Sequence, residues 1–126
     1  MLAFKPDRFG HCCYLNKAQI KQVVEDGIPV ELCPTSNVAT TQCGLPAFLP
    51  HLKEFYDQDH NLVICCDDTL LFSTNLSMEW FEFCKAVQLT DSSKIKTLIG
   101  RNLDAIFMPD KEDFKTKVIA EIESKY

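Results

Sequence analysis

The feature that most constrains the fold is a five-residue apolar run, 62–66 (LVICC), which ends directly in two carboxylates, Asp67 and Asp68. A short continuous apolar run is typical of a strand that is buried on both faces. Adjacent carboxylates repel each other, and each loses hydration when it lies against such a strand. The sequence therefore predicts a buried strand whose carboxyl end holds two acids that need partners.

Two other short segments, 8–15 and 30–33, have a similar strand-like character. Between the segments, apolar residues recur at helical spacing, and the same spacing continues after the third segment. The predicted helices cover residues 17–26, 46–57, 77–87, 92–100 and 110–126. Strands that alternate with helices are typical of parallel sheets with crossover helices, so we predict an α/β fold.

The helical patterns also predict caps and buried faces. Asn16 is expected to cap the first helix, and Thr90 or Asp91 the fourth. The expected buried face of helix 77–87 consists of Trp80, Phe81, Cys84 and Val87. His51 and His60, which flank a helix and a turn, are expected at the surface. These expectations fix which side chains the structure should place in the core.

In parallel α/β folds, ligands bind beyond the carboxyl ends of the strands. This rule places three parts of the sequence on one rim: His11, the polar segment 33–37 (CPTSN), and the acids Asp67 and Asp68. Each has a functional and a structural interpretation. The acids either hold a metal and a substrate or cap a turn or helix. His11 is a metal ligand, proton shuttle or oxyanion stabiliser, or else a hydrogen-bonded structural residue.

The segment 33–37 is open to the same two interpretations. Its hydroxyl and amide groups either bind a polar ligand or the neighbouring acids, or they form a capped turn. The spacing of these residues does not decide between the two.

Composition excludes several classes of protein. The net charge of −5 and the scattered Lys and Arg residues argue against nucleic-acid binding. No apolar stretch is long enough to span a membrane, and no signal peptide is visible. The seven cysteines form no C-x-x-C pair, so a structural zinc knuckle is not expected. We interpret them as reduced thiols and expect a cytoplasmic protein.

Three blocks together resemble the C-terminal part of the adenosine deaminase family: DRFGHCCYL (7–15), VELCPTSNV (30–38) and VICCDDTLLFSTNLSMEW (63–80). The resemblance covers about residues 6–107 and is closest to the branch that removes methylamine from N(6)-methyl-AMP. It implies three βα units of a TIM (β/α)8 barrel of the metal-dependent hydrolase type, followed by C-terminal helices. Residues 1–126 would then be a partial deaminase domain with barrel strands six to eight.

The resemblance also implies roles for three residues, a zinc cofactor and a purine nucleoside or nucleotide as ligand. Asp67 matches the aspartate that binds zinc and contacts the attacking water. Asp68 matches the aspartate that hydrogen-bonds the purine ring. His11 matches the catalytic histidine of a G-H-G motif, which orients and stabilises the hydroxide. Two positions depart from the family pattern, because Cys12 and Leu70 stand where glycines are usual.

The resemblance further implies what this chain lacks. The family takes its other zinc ligands and its catalytic glutamate from H-x-H and H-A-G-E motifs, and neither motif is present. The sequence therefore predicts a truncated barrel that is inactive alone. The alternative is a non-catalytic interaction module that self-associates through an open sheet edge. A flavodoxin-like domain is disfavoured, because no Gly-rich phosphate loop follows a strand.

Overall fold

The computed structural model describes residues 2–41 and 51–125. A 3-10 turn, Leu2–Phe4, precedes the first strand. The elements that follow are β1 (Phe9–Gly10), α1 (Lys17–Glu25), β2 (Val30–Leu32), α2 (Pro34–Thr41), the helical residues 51–56 (α3), β3 (Leu62–Ile64), α4 (Leu76–Val87), α5 (Ser92–Asp104) and α6 (Lys111–Lys125). Positions 46–50 of the expected helix 46–57 lie outside the described residues.

The three strands form one parallel sheet in the order β1-β2-β3. In this register Phe9 pairs with Val30, and Val30 pairs in turn with Leu62. The α/β fold with parallel strands is therefore confirmed. β1 is much shorter than the expected strand 8–15, because His11 and Cys12 adopt left-handed backbone angles that end it.

The segment after β2 is a helix, whereas the sequence analysis treated 33–37 as a loop. Pro34 opens α2, where its fixed φ suits the first turn and its missing N–H is not needed. The backbone N–H of Asn37 donates to the Cys33 carbonyl at 2.8 Å. The helical pattern was missed because hydroxyl-bearing and β-branched residues, which have low helix propensity, make up most of α2.

The cap predictions hold for α1 and α5. The Asn16 side chain accepts from the backbone N–H of Gln19, and the Gln19 side chain accepts from the Asn16 backbone N–H, which is a complete capping box. The Asp91 side chain accepts from the first turn of α5. α5 runs on past the expected end at Gly100 as far as Asp104.

The core lies between the sheet and the helices and contains Val23, Leu52, Phe55 and Leu98. In α4 the fully buried side chains include Phe83, whereas Phe81 is 65% exposed. The expected inclusion of Phe81 on the buried face was therefore wrong, although Trp80 and Cys84 do pack against the core.

Glu79 is also fully buried in α4. Its carboxylate accepts hydrogen bonds from the Thr35 backbone N–H and the Thr74 hydroxyl. This network ties the first turn of α2 to α4. Because each carboxylate oxygen receives a donor, this buried polar side chain is satisfied.

Two histidines expected at the surface are buried or half-buried. His60 is only 6% exposed, and its Nε2 lies 2.8 Å from the Ile28 carbonyl oxygen. The Nε2 of His51 lies 3.1 Å from the His11 carbonyl oxygen. Burial lowers the pKa of both rings, because a buried imidazole disfavours the charged form.

The outer edge of β3 is bonded by a side chain rather than by a strand. The Ile64 backbone N–H donates to Asn102 Oδ1 at 2.9 Å, and Asn102 Nδ2 donates to the Leu62 carbonyl at 2.5 Å. One amide of α5 therefore satisfies the two backbone groups that a neighbouring strand would bond. Among the described residues, no strand pairs with the outer side of β1.

α6 has no fully buried residue, although Lys115 pairs with Asp104 at the end of α5. Within the described residues, no helix has the length and apolar character that a membrane crossing requires.

We expect Asn102→Leu to lower the free energy of unfolding by about 1–3 kcal/mol, because it leaves a buried donor and a buried acceptor of β3 unsatisfied. Hydrogen exchange of the Ile64 amide should become faster. Urea unfolding and exchange NMR measure the two effects. Thr97→Val, in an exposed position of the same helix, is the control. Unchanged exchange at Ile64 would show that Asn102 does not protect this edge.

We also expect the free energy of unfolding to fall as the pH drops below about 6.5, the ordinary imidazole value. The unfolded chain takes up protons at His60 more readily than the folded chain, in which burial lowers the pKa. His60→Gln should reduce this fall, as measured by urea unfolding between about pH 7.5 and 5.5, where carboxyl groups stay ionised. An equal fall in both proteins would contradict the assignment.

Candidate active site

The expected rim exists, and the second strand contributes to it through α2. His11 directly follows β1, and Asp67 comes three residues after the end of β3. Ser36 and Asn37 lie in the first turn of α2, which begins two residues after β2 ends. The parallel register brings these three strand ends together, so the placement derived from the sequence is confirmed.

The backbone at the rim is unusual at three positions. His11, Cys12 and Asp67 have φ values of 59°, 56° and 58°, in the left-handed region. Each such non-glycine residue costs on the order of 1 kcal/mol, and such residues concentrate at functional sites. Cys12 occupies the position of the second glycine of G-H-G, which explains the glycine preference there. Burial raises the pKa of the Cys12 thiol to about 11, so this replacement is uncharged.

Asp67 is held by a hydroxyl group and faces an imidazole. Its Oδ2 accepts a hydrogen bond from the Ser36 hydroxyl at 2.6 Å. The same oxygen lies 3.8 Å from His11 Nε2, which is too long for a direct hydrogen bond. The carboxylate of Asp67 and the ring of His11 therefore face each other across a gap that one small ligand can bridge.

His11 is held from its other side by an amide. Its Nδ1 lies 2.6 Å from Asn37 Oδ1. The Asn37 side chain is completely buried, and its Nδ2 has no hydrogen-bond partner among the described residues. Two consecutive residues of α2 thus contact the two facing groups, Ser36 on Asp67 and Asn37 on His11.

Asp68 makes its described hydrogen bonds within its own loop. Its Oδ1 accepts from the backbone N–H groups of Leu70 and Leu71, at 3.0 and 2.8 Å. This is the turn-capping role considered as the alternative for the acid pair. The second oxygen, Oδ2, takes no part in those bonds. Leu70, at the other departure from the family pattern, is 91% exposed and points to solvent.

A cleft of about 860 Å³ opens at this rim. Its lining includes His11, Asn37 and Asp67, together with Cys12 and Tyr14. Clefts that bind small organic molecules have volumes of roughly 300–1,000 Å³. The cleft is therefore large enough for a ligand of nucleotide size.

The same rim holds a group of possible metal ligands. One donor atom each from His11, Cys33 and Asp67 lies within 4.8 Å of the other two. Nitrogen, sulfur and carboxylate oxygen are the donors that zinc prefers, so these residues fit a zinc ion. A hydrogen bond to Cys65 and then burial raise the pKa of the Cys33 thiol.

The sequence pattern marks 33–37 as a polar segment but assigns no role to Ser36 or Asn37 individually. The signal that identifies Ser36 and Asn37 is their position one turn into a helix that starts at a strand end. That signal was hidden because α2 was not recognised as a helix.

A family model described as adenosine deaminase matches residues 2–125. The N6-mAMP deaminase of Arabidopsis thaliana is 34% identical over 111 residues, which are 88% of this chain and 31% of that protein. The N6-methyl-AMP deaminase of Homo sapiens is 34% identical over 117 residues, 87% of this chain and 32% of that protein. The chain thus spans about a third of the length of these relatives.

The crystal structure of Arabidopsis ADAL complexed with IMP superposes with a TM-score of 0.85 at 31% identity, covering 98% of this chain and 35% of that one. The three parallel strands and their helices thus match a portion of adenosine deaminase barrel structures. The family resemblance of the three sequence blocks is confirmed. The chain belongs to the adenosine deaminase family.

Proposed function

We propose that this chain forms the C-terminal part of a zinc-dependent hydrolase that removes the amine from a purine nucleotide of the N(6)-methyl-AMP type. The observation that carries the proposal is the facing pair of His11 and Asp67 at the carboxyl ends of β1 and β3, 3.8 Å apart. The names of the relatives and the IMP complex of a similar structure support a nucleotide rather than a free base. Adenosine is the other candidate substrate of the family.

Asp67 is the proposed zinc ligand of this chain. Its Oδ2 receives the Ser36 hydroxyl at 2.6 Å, and this bond orients the carboxylate. When bound, zinc supplies a Lewis acid that lets water lose a proton near neutral pH. The left-handed backbone at Asp67 fits a side chain that is held in a particular direction for binding.

His11 is the proposed residue that orients the attacking water and takes up its proton. A neutral imidazole has one accepting nitrogen, and a water molecule beside the His11–Asp67 pair can bond both atoms, which lie 3.8 Å apart. Asp68 is the proposed partner of the purine ring, through the carboxylate oxygen that does not cap the loop. In the reaction the bond from the ring carbon to nitrogen breaks, a bond to oxygen forms, and the amine leaves with a proton.

The proposal treats residues 1–126 as a partial domain. A catalytic zinc usually has three protein ligands, and the H-x-H and H-A-G-E motifs that would supply the others do not occur in this sequence. The remaining ligands and the acid–base glutamate must therefore come from other residues, in the same native polypeptide or in a partner chain.

A second candidate function is a non-catalytic interaction module. Among the described residues, the outer edge of β1 carries no paired strand, and Phe4 and Tyr14 are exposed. Size-exclusion chromatography at two concentrations separates the candidates. A concentration-dependent shift to a defined larger species would favour the module, and aggregation would favour an orphaned portion of a barrel.

We expect the isolated 126-residue chain to bind zinc weakly and to produce no methylamine from N(6)-methyl-AMP. One carboxylate and one imidazole do not complete a catalytic zinc site. Competition with a zinc-sensitive dye and chromatographic product analysis test the two statements. Stoichiometric zinc together with measurable deamination would contradict the view of this chain as a partial site.

The decisive test uses the polypeptide at its native length, found by immunoblotting with an antibody against α6. If that polypeptide is longer, it should release methylamine, and His11→Ala should lower kcat roughly 10²–10⁴-fold. Asp67→Asn should remove bound zinc together with activity, and Asp68→Asn should mainly raise KM. Asp113→Asn, in α6, is the matched control. A fully active Asp67→Asn enzyme would overturn the proposed function.

A further inference from the structure

We propose that Asn37 fixes His11 in the tautomer that carries its proton on Nδ1, so that Nε2 is a bare acceptor beside Asp67. The functional meaning of this tautomer rests on the proposed function. The tautomer itself is a property of the chain and can be measured in the absence of zinc, substrate or activity. Asn37 is in this view a positioning residue, since it acts through His11.

The side chain of Asn37 has little conformational freedom. Its side chain is 0% exposed, and its backbone N–H donates to the Cys33 carbonyl at 2.8 Å within α2. The Thr41 hydroxyl donates to the Asn37 carbonyl at 2.6 Å. A buried side chain on a bonded helical turn keeps one rotamer, because alternatives would displace packed neighbours.

The Asn37 atom that faces the His11 ring is its amide oxygen. Asn37 Oδ1 lies 2.6 Å from His11 Nδ1, and an amide oxygen can only accept a hydrogen bond. Nδ1 must therefore carry the proton. With the amide turned over, the proton would move to Nε2, where the nearest acidic oxygen, Asp67 Oδ2, is 3.8 Å away. That arrangement would give the Nε2 proton no acceptor within hydrogen-bond distance in the part of the chain that the structure describes.

The His11 tautomer determines which hydrogen-bonding groups face the cleft. With Nδ1 protonated, His11 Nε2 and Asp67 Oδ2 are two acceptors 3.8 Å apart. Such a pair favours a molecule that donates two hydrogen bonds, such as water, and disfavours a molecule that only accepts. A bare Nε2 can also take up the proton that the water loses, which a protonated Nε2 cannot do.

The other two histidines provide an internal contrast. The Nε2 atoms of His51 and His60 lie 3.1 and 2.8 Å from the backbone carbonyl oxygens of His11 and Ile28. A carbonyl oxygen can only accept, so both rings carry their proton on Nε2. The chain has three histidines, and His11 is thus expected to differ from the other two in the nitrogen that carries its proton.

The test is a long-range ¹H–¹⁵N NMR spectrum of the ¹⁵N-labelled 126-residue chain at about pH 9, well above the ordinary imidazole pKa of about 6.5. For His11 we expect the ¹⁵N chemical shifts of a protonated Nδ1 and an unprotonated Nε2. For His51 and His60 we expect the reverse. A spectrum in which His11 carries its proton on Nε2 would overturn the proposal. This result would leave the proposed deaminase function standing, because that function is judged by methylamine release.

Variants then assign the effect to Asn37. Asn37→Leu removes the acceptor and should move His11 to a mixture or to the Nε2-protonated form. Asn37→Asp keeps an accepting oxygen and should retain the Nδ1 proton. Thr40→Val, which removes a different hydroxyl bond of α2, should leave all three rings unchanged. The His60 pattern reports whether each variant is folded.

A folded Asn37→Leu protein with an unchanged His11 tautomer would show that Asn37 does not set it. Should Asn37→Leu fail to fold, the wild-type and Asn37→Asp spectra still decide the question, because loss of the Nδ1 proton in either contradicts the proposal. In the active native-length enzyme, Asn37→Leu should lower kcat at least tenfold with little change in KM, and Asn37→Asp should recover part of the loss.

Discussion

The rest of the structure depends on the parallel pairing of β2 with a strand on each side. Val30 and Leu32 are completely buried in this central strand, so its register is fixed by packing as well as by hydrogen bonds. Because all three strands run in the same direction, their carboxyl ends meet at one rim. α2 leaves β2 at that rim and lies between the other two strand ends.

Because of this arrangement, two consecutive residues of α2 contact the two facing groups of the site. Ser36 bonds the acid that follows β3, and Asn37 bonds the histidine that follows β1. The position of α2 is in turn secured by Glu79, whose buried carboxylate receives the Thr35 N–H. A side chain on α4 that never reaches the cleft therefore contributes to the geometry of the site.

Much of the fold follows from sequence pattern because burial is periodic. The apolar runs gave the three strands, and the cap residues Asn16 and Asp91 located two helix starts. The rim position of His11 and Asp67 followed from the rule for parallel sheets. The sequence pattern does not show which group will be the hydrogen-bond partner of a buried polar side chain. Glu79 is buried because Thr35 and Thr74 meet it, and those residues are 44 and 5 positions away along the chain.

The same limit explains the other differences from the sequence predictions. His60 was placed at the surface because its acceptor, the Ile28 carbonyl, is 32 residues distant in sequence. α2 was missed because local propensity disfavours a helix there and tertiary contacts override it. For Asp68 the residue type alone did not show whether it caps a turn. In the structure its carboxylate accepts hydrogen bonds from the backbone of its own turn. The role of a residue whose partner is distant in sequence can be assigned only from the three-dimensional structure.

The amide of Asn102 on β3 has a consequence for how copies of this sheet can meet. A sheet with two bare edges can add a neighbour on both sides, and repeated addition builds an open-ended fibre. Within the described part of the chain, one edge is occupied by Asn102 and only β1 presents a bare one. A copy that added to the β3 edge would have to displace this amide, whereas one that added to β1 would not. A single side-chain amide thus takes up two backbone groups at this edge that a neighbouring copy would otherwise use.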